Sequence, residues 1–426
     1  MSRAARVGDF RSEMMNDFEP LRVALIGCGG MGARHAKAVV EMHALGCRPV
    51  HIVAVCDPDE QRRAKIAALV GRQYGEAPRQ YADYRMALDQ PDIEGVDIVL
   101  PTSMHHTVVL AAIAAGKHVL VEKPLALTVS ACDLIVEASS RSNTVVAVAE
   151  NYRRIPHNRA IKALLQAKAF GEVDVMFVRN FASPEPPVEP GARPVVSPNW
   201  YRDRTHVGGY HAMEMGVHEA DLQSYWFGPI QTVSAEMERF GKVQRHNPNA
   251  SEDMLTASLR FADGMVSHVS FCSTIRQFEV TDRTLIGRNA VITSHSWHAW
   301  LNGDIQFGDG TRRSTDQAVS EWLAALSDSE KQELLPAGAW TSLDKGSVAT
   351  DPLSYGVGLA IYDFARAARM DRHPEITVEL ARRAVATCCA IWESAHLQTP
   401  VSVDQVLTGK IRAAQSSINA ALGLAA

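Results

Sequence analysis

The stretch that decides the fold is Leu21–Val39, LRVALIGCGGMGARHAKAV. Its first half, LRVALIG, is a short apolar run ending in glycine, which predicts a buried strand. Its second half predicts a helix running to about Gly46. Between them lies Gly27-Cys28-Gly29-Gly30-Met31-Gly32, a G-x-G-x-x-G between a strand and a helix, the context that gives this pattern meaning. Gly27 permits the tight turn, Gly29 lets a pyrophosphate approach the backbone, and Gly32 lets helix and strand pack closely. Gly30 and Met31 lie on the same loop, at a helix N-terminus whose free N–H groups favour an anion. The expectation is a dinucleotide site.

The pattern repeats downstream. PVHIVAVCD ends a second apolar run at Asp57, and a helix is expected over about Pro58–Val70. VDIVLPT, KHVLVE and TVVAVAE (144–150) read as further strands, with HHTVVLAAIAAG as a helix between the first two. Strands apolar on both faces and alternating with helices predict a parallel sheet covered on both sides. A Rossmann domain is thus expected over 21–150, after a polar leader at 1–20. The Asp57 carboxylate is placed to bind ribose hydroxyls and repel a 2′-phosphate, favouring NAD while leaving NADP open because Arg62 and Arg63 follow closely. An alternative reading makes Asp57 a helix cap before Pro58.

After Asn151 the pattern changes. A helix is expected over His157–Lys168 and a strand over GEVDVMFVRNF, followed by a proline-rich loop at 183–198. Longer alternating runs follow, with Ala262-Asp263-Gly264 as a hairpin turn. This half reads as an α/β domain (151–378) with a large, mostly antiparallel open sheet. A helical segment (379–426) is expected to pack back on the body. An exposed apolar sheet face suits a homodimer or homotetramer.

Composition narrows the class. The chain has 426 residues, 46% hydrophobic and 21% charged, with a formal net charge of −5. It has no long basic run, which speaks against a nucleic-acid partner. No apolar run approaches the roughly 20 residues of a membrane span, and no signal-peptide core is visible. Seven scattered cysteines without a CxxC pair suit reduced thiols in the cytoplasm.

Loops after strand C-termini line the ligand crevice of such a sheet. Pro101, Thr102 and His105 are therefore candidate walls of the nicotinamide-ribose pocket, and Asn151 follows the last strand. Glu122-Lys123-Pro124 occupies an equivalent position. Lys123 can donate to a reacting oxygen, and Glu122 can orient it or bind ribose; a surface ion pair is the plainer alternative. In GGYHAMEMGVHEAD (208–221), Glu214 and His218 share one helix face. A histidine can take and return a hydroxyl proton, and Glu214 can set its tautomer or bind substrate. Asp221 is expected to support this pair. Two other readings stay open: a zinc site of His211, Glu214 and His218, or a structural histidine. No metal is required, because a cationic lysine can stabilise the oxyanion. Candidate substrate contacts are Tyr152, Arg153, Trp200, Arg202, Arg204, His206 and Tyr210, with Glu214 and His218. Trp297, His298 and Trp300 form an aromatic cluster that suits the pocket, an interface or the core.

Together these segments resemble the glucose–fructose oxidoreductase, inositol dehydrogenase and rhizopine-catabolism family of NAD(P)-dependent oxidoreductases. The matching stretches are VALIGCGGMGARHAKAV (23–39), AIAAGKHVLVEKPLAL (112–127), ENYRRIPHNRAIKALLQAKAFGEV (150–173), WYRD (200–203), GGYHAMEMGVHEADL (208–222) and ESAHLQTPVSV (393–403). The resemblance implies a Rossmann domain followed by an open-sheet α/β domain, with Lys123 as the lysine of the EKP motif and His218 as the catalytic histidine. This chain departs from the family in carrying Glu214 for its usual aspartate and Tyr210 for a third glycine. Leu100-Pro101-Thr102 matches the usual threonine-proline-asparagine loop only in part. The implied activity is hydride transfer on a secondary hydroxyl or ketone of a sugar, polyol or related cyclic hydroxy compound. A carboxylated cyclic diol, a non-catalytic NAD-binding sensor and a redox-neutral enzyme with tightly bound NAD are the alternatives.

Overall fold

The computed structural model describes residues 18–182, 203–240, 250–274, 279–296, 298–334 and 352–424. Six strands form the first sheet: β1 (Leu21–Ile26), β2 (Val50–Cys56), β3 (Arg79–Tyr81), β4 (Gly95–Ile98), β5 (His118–Val121) and β6 (Val146–Val148). Their order is β3-β2-β1-β4-β5-β6, and every neighbouring pair is parallel. This is the doubly wound dinucleotide order, whose strand sequence reverses beside β1 and opens a crevice at the strand C-termini. The short β3 and the helix Tyr84–Leu88 after it escape the sequence reading. Five and three residues give no measurable period.

The helices around this sheet have visible start and stop signals. Helix α1 (Gly30–Ala44) begins at the glycine loop. Helix α2 (Glu60–Tyr74) is capped by Asp59, which accepts from the Gln61 and Arg62 N–H groups, and stops at left-handed Gly75. The cap is thus Asp59, which leaves Asp57 outside that role. Helix α3 is Tyr84–Leu88, α4 is Thr102–Ala114, α5 is Val129–Ser140 and α6 is Pro156–Gln166.

Among the described residues nine strands form the second sheet: β7 (Val173–Phe181), β8 (Ile230–Glu238), β9 (Met254–Phe261), β10 (Val266–Cys272), β11 (Val280–Gly287), β12 (Ala290–Ser294), β13 (Asp304–Phe307), β14 (Arg312–Ser314) and β15 (Val401–Ser402). The order is β14-β13-β12-β11-β7-β10-β9-β8-β15. All pairs are antiparallel except β7–β10. The expected hairpin at 262–264 joins β9 and β10, with Gly264 at positive φ. Alternate residues of β8 and β9, such as Val233, Leu255 and Leu259, are buried in one core with the helix Val378–Leu397. On the opposite face Phe177 remains 40% exposed.

The chain returns to the first domain earlier than expected. Val357, Ala360, Ile361, Phe364 and Ala365 of the helix Pro352–Met370 join the core of β1, β2 and α1. A buried ionic network fastens this return: Arg154 reaches Asp363 at 3.2 Å and Glu375 at 2.9 Å, and Arg159 reaches Glu375 at 2.8 Å. Further on, Asn419 and Gln415 hydrogen-bond Thr128 and Val129 at the start of α5.

Candidate active site

The glycine loop is built for close approach. Gly27 has φ 102°, and a Cβ there would lie 2.0 Å from the Val99 carbonyl oxygen. A Cβ on Gly32 would lie 2.0 Å from the Gly27 oxygen, so α1 can touch the loop only through glycine. Gly29 and Gly30 have no neighbour within 4 Å of that position, which leaves an open backbone surface at the α1 N-terminus. Met31 is partly exposed beside it. The Asp57 carboxylate ends β2 next to the loop and accepts the Cys28 N–H at 2.9 Å and the Asp59 N–H at 2.9 Å. Arg62 pairs with Asp59, and Arg63 donates to the Asp57 and Pro58 carbonyls. Neither arginine forms an ion pair with the Asp57 carboxylate. A crowded turn, an open amide surface and an acid at the β2 end together fit a dinucleotide.

The second wall follows β4 and β5. Pro101 and Thr102 open α4 at the crevice. His105 lies behind them rather than in the wall. It is fully buried, with Nδ1 2.8 Å from the Pro124 oxygen and Nε2 2.9 Å from the Leu100 oxygen. It braces the α4 loop against the EKP turn, so its expected contact with cofactor is corrected. The Lys123–Pro124 peptide is cis. Glu122 is buried; Oε1 lies 2.8 Å from His35 Nε2, and Oε2 accepts the Lys123 N–H at 3.0 Å. The Lys123 ammonium donates to Glu214 Oε1 at 2.8 Å and to the Glu214 carbonyl at 3.0 Å. Burial opposes its charge, but Glu214 and Glu122 outweigh burial and push its pKa up. Lys123 is therefore a fixed cation.

Glu214 does not orient His218. Residues Tyr210–Met215 form a wide turn with i→i+5 character, and the helix Gly216–Phe227 follows. From the wide turn Glu214 points to Lys123. His218 instead places Nδ1 2.8 Å from Glu150 Oε1, and its ring stacks on Tyr152 with centroids 3.8 Å apart. Glu150 also accepts the Tyr152 N–H at 2.9 Å. Burial alone would raise the Glu150 pKa, but His218 and its hydrogen bond reverse this and hold it anionic. Because Nδ1 faces Glu150, Nε2 is the ring nitrogen left for a ligand. Glu150, His35 and Asp97 were missed by the sequence reading, although Glu150 begins the quoted ENYRR segment.

Other expected residues separate from this centre. The Arg153 guanidinium is buried in a bidentate pair with Asp221. A desolvated guanidinium needs such a partner, so the expected substrate contact of Arg153 is corrected, as is the support of Asp221 for His218. Arg204 stacks over Trp392 at 4.9 Å and lines a different cavity of about 990 Å³ with Glu252, Arg239 and His396. His206 faces α4, with Nδ1 3.4 Å from Ser103 Oγ. Tyr210 is half-buried, edge-on to His211. His211 turns to the Asp253 carbonyl at 3.2 Å, and burial pushes its pKa down to about 4. Among the described residues no group of three His, Cys, Asp or Glu side chains is placed to hold a metal ion. Trp300 is core, packed on Trp226, while His298 stands edge-on to Tyr152. Asn151 is buried next to Tyr152, its backbone oxygen against Gly356. Trp200, Arg202 and Trp297 lie outside the described residues.

A doubly wound nucleotide domain joined to an open-sheet domain, with a lysine and a histidine at the crevice, defines a nicotinamide-dependent oxidoreductase. Residues 21–150 match the model of an oxidoreductase family with an NAD-binding Rossmann fold, and residues 158–293 match the GFO/IDH/MocA C-terminal domain. The chain belongs to this family, and its reaction is NAD(P)-dependent hydride transfer. It is 29% identical to levoglucosan dehydrogenase of Pseudarthrobacter phenanthrenivorans over 64% of this chain and 70% of the relative. It is 26% identical to D-apiose dehydrogenase of Paraburkholderia graminis over 68% of this chain and 71% of that one. A solved levoglucosan dehydrogenase, complexed with NADH and levoglucosan, superposes with a TM-score of 0.70 at 22% identity, covering 91% of this chain and all of that chain. Among the described residues no helix is long and apolar enough to cross a membrane.

Proposed function

We propose that this chain oxidises a secondary hydroxyl of a neutral sugar, polyol or related cyclic hydroxy compound to the ketone, and catalyses the reverse, with NAD favoured over NADP. The observation that carries this reading is the pair of fixed side chains at the crevice: Lys123 held by Glu214, and His218 held by Glu150. His218 Nε2 takes the hydroxyl proton, and Glu150 stabilises the imidazolium that results. Lys123 donates to the substrate oxygen as charge develops on it. Glu214 aims the ammonium. Bound nicotinamide supplies the hydride acceptor or donor. Gly29, Gly30, Met31, Gly32 and Asp57 hold the dinucleotide, with Pro101, Thr102, Glu122 and Asn151 around its nicotinamide end.

Tyr152, stacked on His218, and His298, edge-on to Tyr152, remain as substrate-side groups. The commitment of Arg153 to Asp221 removes one anion-binding candidate and favours a neutral substrate over a carboxylated cyclic diol. The names of the two relatives, dehydrogenases of an anhydrosugar and a pentose, point to the same class. The sheet face that carries exposed Phe177, stacked on His268, supports a homodimer or homotetramer. Buried free thiols suit a cytoplasmic protein.

The test is a panel of polyols, aldoses, anhydrosugars, uronates and cyclic diol acids, followed by nicotinamide absorbance with NAD and NADP separately. Turnover of a neutral sugar or polyol with NAD is expected. Turnover confined to carboxylated compounds would overturn the substrate class. NAD binding without turnover of any of them would return the sensor or the redox-neutral enzyme.

A further inference from the structure

A buried cluster of His35, Asp97 and Glu122 lies behind Lys123. His35 lies in α1, just over one turn from the glycine loop, and is fully buried. Its Nδ1 is 2.9 Å from Asp97 Oδ2 on β4, and its Nε2 is 2.8 Å from Glu122 Oε1 at the end of β5. A neutral imidazole has one N–H and would set a bare ring nitrogen against one of these carboxylates. An imidazolium donates to both. Burial opposes that charge, but Asp97 and Glu122 outweigh burial and bring the pKa to about 10. An ordinary core histidine needs no such arrangement, since burying two carboxylates is costly unless their partner is charged. The free oxygen of Glu122 then holds the Lys123 backbone at 3.0 Å. One carboxylate is therefore gripped by the dinucleotide-loop helix on one side and grips the lysine turn on the other.

We propose that His35 is a positioning residue: through Glu122 it fixes the place and the electrostatic setting of Lys123, and ties that lysine to the helix that opens from the dinucleotide loop. This rests on the reading of Lys123 and His218 as reacting groups. The charged groups facing His35 are Asp97 from β4 and Glu122 from the end of β5. Those around the reacting pair are Glu122, Glu214 from the wide turn and Glu150 after β6. His35 is the cation that offsets Asp97 and Glu122. Without it the cluster is more negative, the site retains its proton more strongly, and oxidation requires a higher pH.

The experiment is the pH profile of kcat for alcohol oxidation in full-length His35→Gln and Asp97→Asn, with dinucleotide binding and melting temperature measured on the same preparations. In His35→Gln, dinucleotide binding is retained and kcat falls between about ten- and a hundred-fold, as expected for a reacting group displaced from a distance. The acid limb moves upward by about one pH unit, the size of one charge acting through a protein dielectric. Asp97→Asn removes a negative charge from the same cluster and moves the limb downward. A purely structural role lowers the melting temperature and leaves the limb in place, which overturns the proposal, as does an unchanged kcat in His35→Gln. If His35→Gln is not recovered folded, the direction of the Asp97→Asn limb decides. Lys123→Met, run in parallel, separates the two readings. Wild-type turnover in that variant refutes the role of Lys123, whereas its loss beside an unmoved limb in His35→Gln refutes only the role of His35.

Discussion

Glu150 and His218 lie 68 residues apart in the chain and 2.8 Å apart in the structure, with the imidazole Nδ1 against the carboxylate and the ring face on Tyr152. This contact fixes which nitrogen of His218 meets a ligand. On the proposed role of His218, it also gives the imidazolium formed during alcohol oxidation a partner already in place, so no group must reorganise as the proton arrives.

Replacing Glu150 with glutamine keeps the size of the side chain and removes the charge. The expected result is a loss of about 10²-fold in kcat, within the range contributed by a positioned acid–base group. Dinucleotide affinity should stay near wild type. Steady-state kinetics, beside a binding titration, check both.

The glycine–acid cradle was legible because its meaning is local: a strand, a turn that only glycine can make, and a helix follow one another within twenty residues. The places of Lys123 and His218 in the fold were legible for the same reason, one after a strand end and the other in a short helical motif. Their partners were not. His35 meets residues 62 and 87 positions away, and no periodicity reports such a contact. Arg153 was misread because an arginine beside a ligand-facing segment looks available until Asp221 is brought beneath it. Of the two roles open to Glu214, orienting His218 came from spacing that puts it on the face of His218, whereas the wide turn at Tyr210–Met215 redirects it to Lys123. The helix Pro352–Met370 was given to the second domain because sequence order does not say which core an amphipathic face will find.

Gly32→Ala should damage the cradle itself. The added Cβ would stand 2.0 Å from the Gly27 carbonyl, and backbone must move to admit it. A destabilisation of about 1–3 kcal/mol is expected, as for other overpacked sites, together with weakened dinucleotide binding. Gly30→Ala meets nothing within 4 Å and should fold normally. Melting temperatures and NAD titrations of the two variants distinguish a tight helix–loop contact from an ordinary turn.

Asp57→Ala should lose about ten-fold or more in NAD affinity, the scale of charge-assisted hydrogen bonds to ribose. NADP affinity should fall less, because the carboxylate that repels a 2′-phosphate has gone. Asp57 also receives the Cys28 N–H, so some loss with both cofactors is expected from a looser loop. Equal losses with NAD and NADP would contradict the ribose assignment.

Two ion-paired charges, Glu375 and His35, shape the stable pH range. The Glu375 carboxyl is held at about 2: burial would raise it, but Arg159, Arg154 and Arg153 outweigh burial. Its folded value lies below its ordinary 4.5, so its contribution is present above pH 4.5 and is lost as pH falls toward 2. The His35 value of about 10 lies above its ordinary 6.5, so its contribution is complete below pH 6.5 and is lost as pH rises through 10. Denaturant unfolding across pH should show Glu375→Gln less stable near neutrality and flatter on the acid side. His35→Gln should be flatter on the alkaline side.

The most direct test of the account is the nicotinamide-absorbance assay on wild type, Lys123→Met and His218→Ala, with NAD binding measured on each. The expected result is intact NAD binding with kcat lowered by about 10²-fold or more in both variants, since each removes a group acting in the transition state. Wild-type turnover in either folded variant would contradict the assignment of oxyanion donor and base on which the account rests.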